Sequence, residues 1–276
     1  MKVSMRAIAC ATALALLGAG FVTTAFAQDE TQVVPFSDPS RIGKVEVDLL
    51  NGSITVRGEN RRDVAVMMRA GAPGKGAIER PAPPGLRRLT QRPGVEISEE
   101  RNEIKIESGS MRNGGGSLEL RVPLRTNLKL GSVNGSGITV ENVEGELEIE
   151  SVNGGVTLTN VAGSVVANTQ NGGVTANLSR VMADRPMAFT SFNGKVDVTL
   201  PANVKATLKM RSDQGDIFTD FDVQLRQSGP ASSSATRNNG KLRVEINRAI
   251  YGNVNGGGPE IELRSFNGSI YLRKGQ

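Results

Sequence analysis

The sequence predicts an all-β protein, a single-stranded parallel β-solenoid built from turn-plus-strand repeats. Asn-Gly followed by an apolar-polar-apolar run recurs along the chain, most clearly at Asn51-Gly52, Asn153-Gly154 and Asn267-Gly268. Further copies sit at Asn134-Gly135, Asn171-Gly172, Asn193-Gly194 and Asn255-Gly256, with Gln for Asn at Gln214-Gly215. Gly135, Gly145, Gly154, Gly163 and Gly172 follow one another at intervals of 10, 9, 9 and 9 residues. Turns with Asn alternate there with turns lacking it (Glu144-Gly145, Ala162-Gly163), so the repeat is two units, about 18–19 residues, one coil of a stacked fold. Asn-Gly between alternating strands is also a hairpin signal, and an antiparallel meander or barrel is the alternative. The coil-length spacing favours the solenoid, in which stacked Asn side chains form a ladder.

The first residues read as a secretory signal peptide over 1–27. Lys2 and Arg6 give a positive start, an apolar run spans Ala7 to about Val22, and Ala25-Phe26-Ala27 forms a small-x-small cleavage site. No transmembrane span is expected after cleavage, and the exported chain is placed in the periplasm or at the cell surface. Residues 28–43, with Pro35 and Pro39, read as a loose leader. The repeat domain occupies 44–276. Val45, Val47 and Leu49 alternate with Glu46 and Asp48, the period-2 mark of a strand with one buried face. Gly after Asn is expected at positive φ.

Residues 70–94 interrupt the pattern with Pro and Gly and read as a surface loop. Lys75, Arg80, Arg87, Arg88 and Arg92 face a single acid, Glu79, so this loop is the candidate ligand-binding element for anionic envelope polysaccharide or lipid headgroups. A solvated insertion is the plain alternative. Strand patterns resume at Val95, Glu103 and Leu118. Two longer units then match: Leu120-Arg121-Val122-Pro123 leads to Asn134-Gly135, and Val198-Thr199-Leu200-Pro201 leads to Gln214-Gly215. Residues 226–240 read as a polar loop, followed by late strands at Lys241 and Ile261.

Composition excludes several chemistries. The chain has no His and no Trp, and its one Cys, Cys10, lies in the signal segment. A Ser-His-Asp triad, an imidazole base, His-ligated zinc and thiolate sites are therefore absent, and so are structural disulfides. Scarce aromatics argue against sugar- or base-stacking platforms. Loss of Lys2 and Arg6 lowers the formal net charge from +5 to +3, too mild for a nucleic-acid binder. Asp213, Asp216, Asp220 and Asp222 form the one dense carboxylate cluster. Asp213 and Asp216 are the weak calcium candidate, but the spacing matches no calcium loop, and solvent-facing strand residues are the simpler explanation. No cofactor is implied.

The Asn-Gly-x-[Ile/Val]-x-[Val/Leu] copies, the strand-Pro-strand-turn units and the signal peptide together resemble a bacterial family of secreted β-helix-like repeat proteins called putative adhesins. The resemblance spans most of 40–276, and its motifs are structural. It implies a bacterial source and the fold, and supplies no catalytic residues. The expected function is a non-enzymatic binding or scaffold protein at the cell envelope. The alternatives are a carboxylate-dependent polysaccharide lyase or hydrolase on the same backbone and an envelope-stress accessory protein with a protein partner. Neither ligand nor oligomeric state is encoded legibly.

Overall fold

A computed structural model describes residues 31–69, 95–108, 116–226, 234–238, 241–245 and 249–275. Residues 1–27, expected to be a signal peptide, and the basic residues Lys75, Arg80, Arg87, Arg88 and Arg92 lie outside the described residues. Among the described residues there is no helix, and so none long and apolar enough to cross a membrane.

The chain opens with β1 (Thr31–Pro35), β2 (Gly43–Glu59) and β3 (Asp63–Arg69). β4 (Val95–Glu100), β5 (Glu103–Ser108) and β6 (Gly116–Pro123) follow. β7 (Thr126–Glu141), β8 (Glu144–Asn171) and β9 (Val174–Val181) form the middle. Next come β10 (Met187–Asn193), β11 (Val196–Leu200), β12 (Ala206–Ser212), β13 (Ile217–Thr219) and β14 (Gln224–Leu225). β15 (Ser234–Asn238) and β16 (Lys241–Glu245) pair as a separate hairpin, before β17 (Ile250–Val254), β18 (Glu260–Asn267) and β19 (Ile270–Lys274).

The body is the parallel solenoid that the repeats predict. β2 pairs in parallel with β7 and β7 with β8; β8 pairs with β9 and β10, and β9 with β11. Period-2 alternation sends every second side chain inward. In-register stacking aligns these into columns, such as Ile54, Ile138, Val156, Val174, Val196 and Ile270. All six are at most 1% exposed. In another column Phe189, the largest fully buried side chain, stands in register with Ala167 and Leu263, so a small neighbour makes room for a large one.

The chain order and the spatial order differ at both ends. β2 lies between β5–β6 on one side and β7 on the other. β18–β19 lies between β10–β11 and β12–β13. The two strand-Pro-strand units are the places where the chain steps over a coil that a distant segment fills, β2 at the first and β18–β19 at the second. Each step closes a turn on its proline carbonyl: Thr126 Oγ1 donates to Pro123 O (2.8 Å), and Val204 N to Pro201 O (3.0 Å). Antiparallel strands close the ends of the stack, β4 on β5 and β3 on β6 at one end, β17 on β12 at the other.

Four sequence expectations need correction. The leader is not loose throughout: β1 pairs antiparallel with β3, and Phe36 is buried against the core. Its strand is short and ends at Pro35, an edge position where a missing N–H costs nothing, so the alternation was too brief to read. The polar stretch 226–240 contains a strand, β15, whose Ser-Ala-Thr-Arg-Asn sequence carries no apolar alternation to announce its pairing with β16. Asn255-Gly256 is not a coil corner: Asn255 sits at φ 50° and donates through Nδ2 to Val204 O (2.7 Å) and Ala202 O (3.2 Å), clasping one of the step-over turns.

The fourth correction concerns the corner glycines. Positive φ holds at Gly52 (126°) and Gly154 (145°), but Gly135, Gly172, Gly194 and Gly268 are not among the positive-φ glycines. Their requirement is space. A Cβ built on Gly268 would overlap the carbonyl oxygen of Gly194, and one on Gly194 that of Gly172. Gly268→Ala is therefore expected to destabilise by about 2 kcal/mol or more through backbone displacement. Gly256→Ala, with nothing within 4 Å of its Cβ, should cost only the strain of its φ of 87°, about 1 kcal/mol. Denaturant titration of both variants checks the order.

Asp197 on β11 fastens the displaced last coil. Its carboxylate accepts from Arg273 Nε on β19 (2.8 Å) and pairs with Lys195 Nζ (3.3 Å). Burial pushes the Asp197 pKa up, but the hydrogen bonds from Arg273 and Lys195 outweigh it and hold the group below the ordinary aspartate value. A depressed folded-state pKa contributes stability that is full above the unfolded value, near 3.9, and is lost as pH falls through the folded value. Asp197→Asn should cost about 1 kcal/mol at neutral pH, discounted because Arg273 is half exposed, and should flatten the loss of Tm below about pH 4. Thermal melts across pH test both parts.

Candidate functional groove

Five corners carry the same local order: an inward Ser or Thr, one outward residue, then Asn-Gly, whereas Asn51-Gly52 is preceded by the inward Leu49. Ser132-Val133-Asn134, Ser151-Val152-Asn153, Thr169-Gln170-Asn171, Ser191-Phe192-Asn193 and Ser265-Phe266-Asn267 all follow it. The Asn side chains form a ladder across the stack. Asn153 Nδ2 donates to Asn134 Oδ1 (3.0 Å), Asn171 to Asn153 (2.9 Å), Asn193 to Asn171 (2.8 Å) and Asn267 to Asn193 (2.7 Å). Asn51 stands in register with Asn134 at the head of this row. The sequence-predicted turn residues are thus brought together, across gaps as long as the 74 residues between Asn193 and Asn267.

The buried hydroxyls form a second row that the sequence reading missed. Ser132 Oγ donates to Gly52 O (3.1 Å), Thr169 Oγ1 to Gly154 O (2.8 Å), Ser191 Oγ to Gly172 O (2.7 Å) and Ser265 Oγ to Gly194 O (2.9 Å). Each locks one corner to the next. The signal was present as Ser or Thr two residues before Asn, but polar residues on the inward phase look like breaks in an apolar pattern. Loss of a buried hydroxyl costs more than loss of an exposed amide. Ser191→Ala should therefore destabilise by about 2 kcal/mol and Asn171→Ala by about 1 kcal/mol, the reverse of their prominence in the sequence; urea unfolding of the pair measures it.

Beside these rows runs a groove of about 910 Å³ along the stack. The outward corner residues line one side: Leu50, Val133, Val152, Gln170, Phe192 and Phe266. Leu50 is 57% and Phe192 47% exposed. Phe192 and Phe266 stack on one another at 4.7 Å with their planes 2° apart. The other side consists of residues two positions earlier: Asp48, Gly131, Glu150, Asn168, Thr190 and Arg264. Register places Asp48 next to Gly131 and Gly131 next to Glu150, and puts Thr190 next to Arg264. Gly131 opens the wall, since a Cβ there would lie 2.5 Å from Asp48 Oδ1. The groove is thus graded, acidic at one end, amide and hydroxyl in the middle, cationic at the other. Among the described residues, Asp48, Glu150 and Arg264 make no direct ion pair or side-chain hydrogen bond; the charge of Lys105 reaches Asp48, but its ammonium is paired with Glu107, which also lines the acidic end.

The predicted carboxylate cluster does not converge on this groove. Asp213 Oδ1 accepts from Arg211 Nη2 (2.8 Å) just beyond the Arg264 end, whereas Asp220 Oδ1 accepts from the backbone N of Lys274 (2.7 Å) behind β13. Asp216 serves through its backbone, its carbonyl accepting from Ile270 N (2.8 Å), and Asp222 is exposed. Among the described residues no three His, Cys, Asp or Glu side chains stand close enough to hold a metal ion. The arrangement offers a fixed frame of unpaired charges and apolar side chains, suited to holding a ligand.

No curated protein matches the sequence. The chain is similar to a putative cell adhesion protein of Clostridium sporogenes ATCC 15579, with 9% identity and a TM-score of 0.44 over 90% of this chain and 100% of the other. It is also similar to a putative adhesin of Bacteroides fragilis NCTC 9343, with 10% identity and a TM-score of 0.26 over 90% of this chain and 98% of the other. The model of the Toastrack DUF4097 family matches residues 34–255, most of the sequence, and the chain belongs to that family.

Proposed function

We propose that this protein is an exported, non-enzymatic β-solenoid that binds or scaffolds at the bacterial cell envelope, with the graded groove as its contact surface. The groove carries the reading: solvent-facing apolar side chains, with Asp48, Glu150 and Arg264 free of direct ion pairs, are displayed one per coil by the strand register. Large exposed apolar side chains gathered in one strip, here broken by Gln170, mark interaction surfaces more often than idle ones. Export rests on the positive start, apolar run and Ala25-Phe26-Ala27 site of the sequence. The basic residues Lys75, Arg80, Arg87, Arg88 and Arg92 would add a salt-sensitive grip on anionic polysaccharide or lipid headgroups.

The test is retention of the purified protein on isolated envelope fractions at low and moderate salt. Phe192→Asp should lower retention about tenfold, since it places a charge in the apolar column. Deletion of 70–94 should remove the salt-sensitive part alone. Unchanged retention in both variants would sink the proposal. Release of shortened or unsaturated sugars from the fractions would instead favour the carboxylate-dependent enzyme, and Asp213→Asn would then have to abolish it.

A further inference from the structure

We infer that the groove takes an extended segment of a partner protein, laid along the solenoid axis, with its basic end at Asp48 and Glu150 and its acidic end at Arg264. This deepens the envelope-binding reading and rests on it.

Three observations select a peptide. The first is charge. Asp48 and Glu150 flank the Gly131 gap at one end with no direct ion pair among the described residues; Lys105, whose charge reaches Asp48, is already paired with Glu107, a further acid of this end, and Arg264 stands without a direct anionic partner at the other. A ligand that carries both signs, separated along its length, satisfies both ends. A uniformly anionic polysaccharide or headgroup surface would be repelled at the Asp48 end.

The second is span. From the Asp48 rung to the Arg264 rung are five steps of the stack, about 24 Å at the usual strand separation. An extended chain covers that length in about seven residues. Its amides would cross the strands instead of joining them as an added strand, and so need side-chain partners. Asn168, Gln170 and Thr190 supply donors and acceptors in the middle of the groove.

The third is the aromatic geometry. Sugar rings are gripped by an open aromatic face. Here the stacked planes of Phe192 and Phe266 are turned on one another, so the pair offers ring edges to the groove. Together with Leu50, Val133 and Val152 they form a strip for aliphatic side chains rather than a stacking platform.

The experiment is selection of a phage-displayed random nonapeptide library on the purified protein, with the same selection on Arg264→Glu, on Asp48→Lys/Glu150→Lys and on Phe192→Asp. Binding to defined hexasaccharides is measured in parallel. The expected result is enrichment of sequences with Lys or Arg near one end, Asp or Glu near the other and apolar residues between. Synthetic copies should bind Arg264→Glu at least tenfold more weakly. Selection on that variant should lose the acidic end, and selection on Asp48→Lys/Glu150→Lys the basic end. All these sites are on the surface, and an unchanged thermal melt confirms that each variant folds. Failure to enrich, or enrichment indifferent to all three variants, would overturn the inference. If hexasaccharides bind and lose affinity in Phe192→Asp while peptides do not, the envelope-binding groove stands and the peptide reading falls. If neither ligand nor any envelope fraction binds, both fall.

Discussion

The structure depends on how closely one coil's corner can approach the next. At Gly194 and Gly268 the neighbouring carbonyl oxygen occupies the place a Cβ would take. That approach sets the stack spacing at the corner, and the rest follows from it. Ser191 and Ser265 reach the Gly172 and Gly194 carbonyls, and the amides of Asn193 and Asn267 meet. With the corner in register, the flanking strands stay in register, and the apolar columns align without a choice of partner. A solenoid with irregular corners would have to solve its core coil by coil.

The interleaved ends change what the repeat means energetically. In an ordinary stack each unit touches only its sequence neighbours, and the ends fray first. Here β2 is held between coils formed later in the chain, and β18–β19 completes a level between β11 and β12. β2 and β18–β19, early and late in the chain, are therefore interior members of the stack. Such long-range pairing makes folding slow, because loop closure precedes any gain from contact. It also makes loss of either end costly. Asp197 and Arg273, on β11 and β19, place an ion pair where the late coil meets the early one.

The groove is a by-product of the same register put to use. Stacking brings one outward position per coil into a continuous column, so its character is chosen residue by residue: Leu50, Val133, Val152, Gln170, Phe192, Phe266. The parallel column two positions earlier can vary in charge without disturbing the core, because these side chains face solvent. A gradient from Asp48 to Arg264 can thus be written on a repeat whose inward face is uniform.

The sequence by itself determined the fold class, the coil length and most of the corner residues, Asn255-Gly256 excepted, because period-2 alternation and Asn-Gly are local consequences of backbone geometry. It also marked both step-over points by proline. The buried hydroxyl row was written in the sequence as Ser or Thr before five of the Asn-Gly corners, yet it was illegible as structure. Its partners are carbonyls in other coils, as far as 80 residues away for Ser132 and Gly52. Spacing cannot reveal that Phe266 stacks on Phe192, or that Arg264 closes the groove that Asp48 opens. These neighbours depend on which coil lies beside which, and the chain inserts its last coil out of order. Only the tertiary pairing of β18 with β10 decides it, since parallel strands of similar pattern leave the local sequence indifferent to its partner.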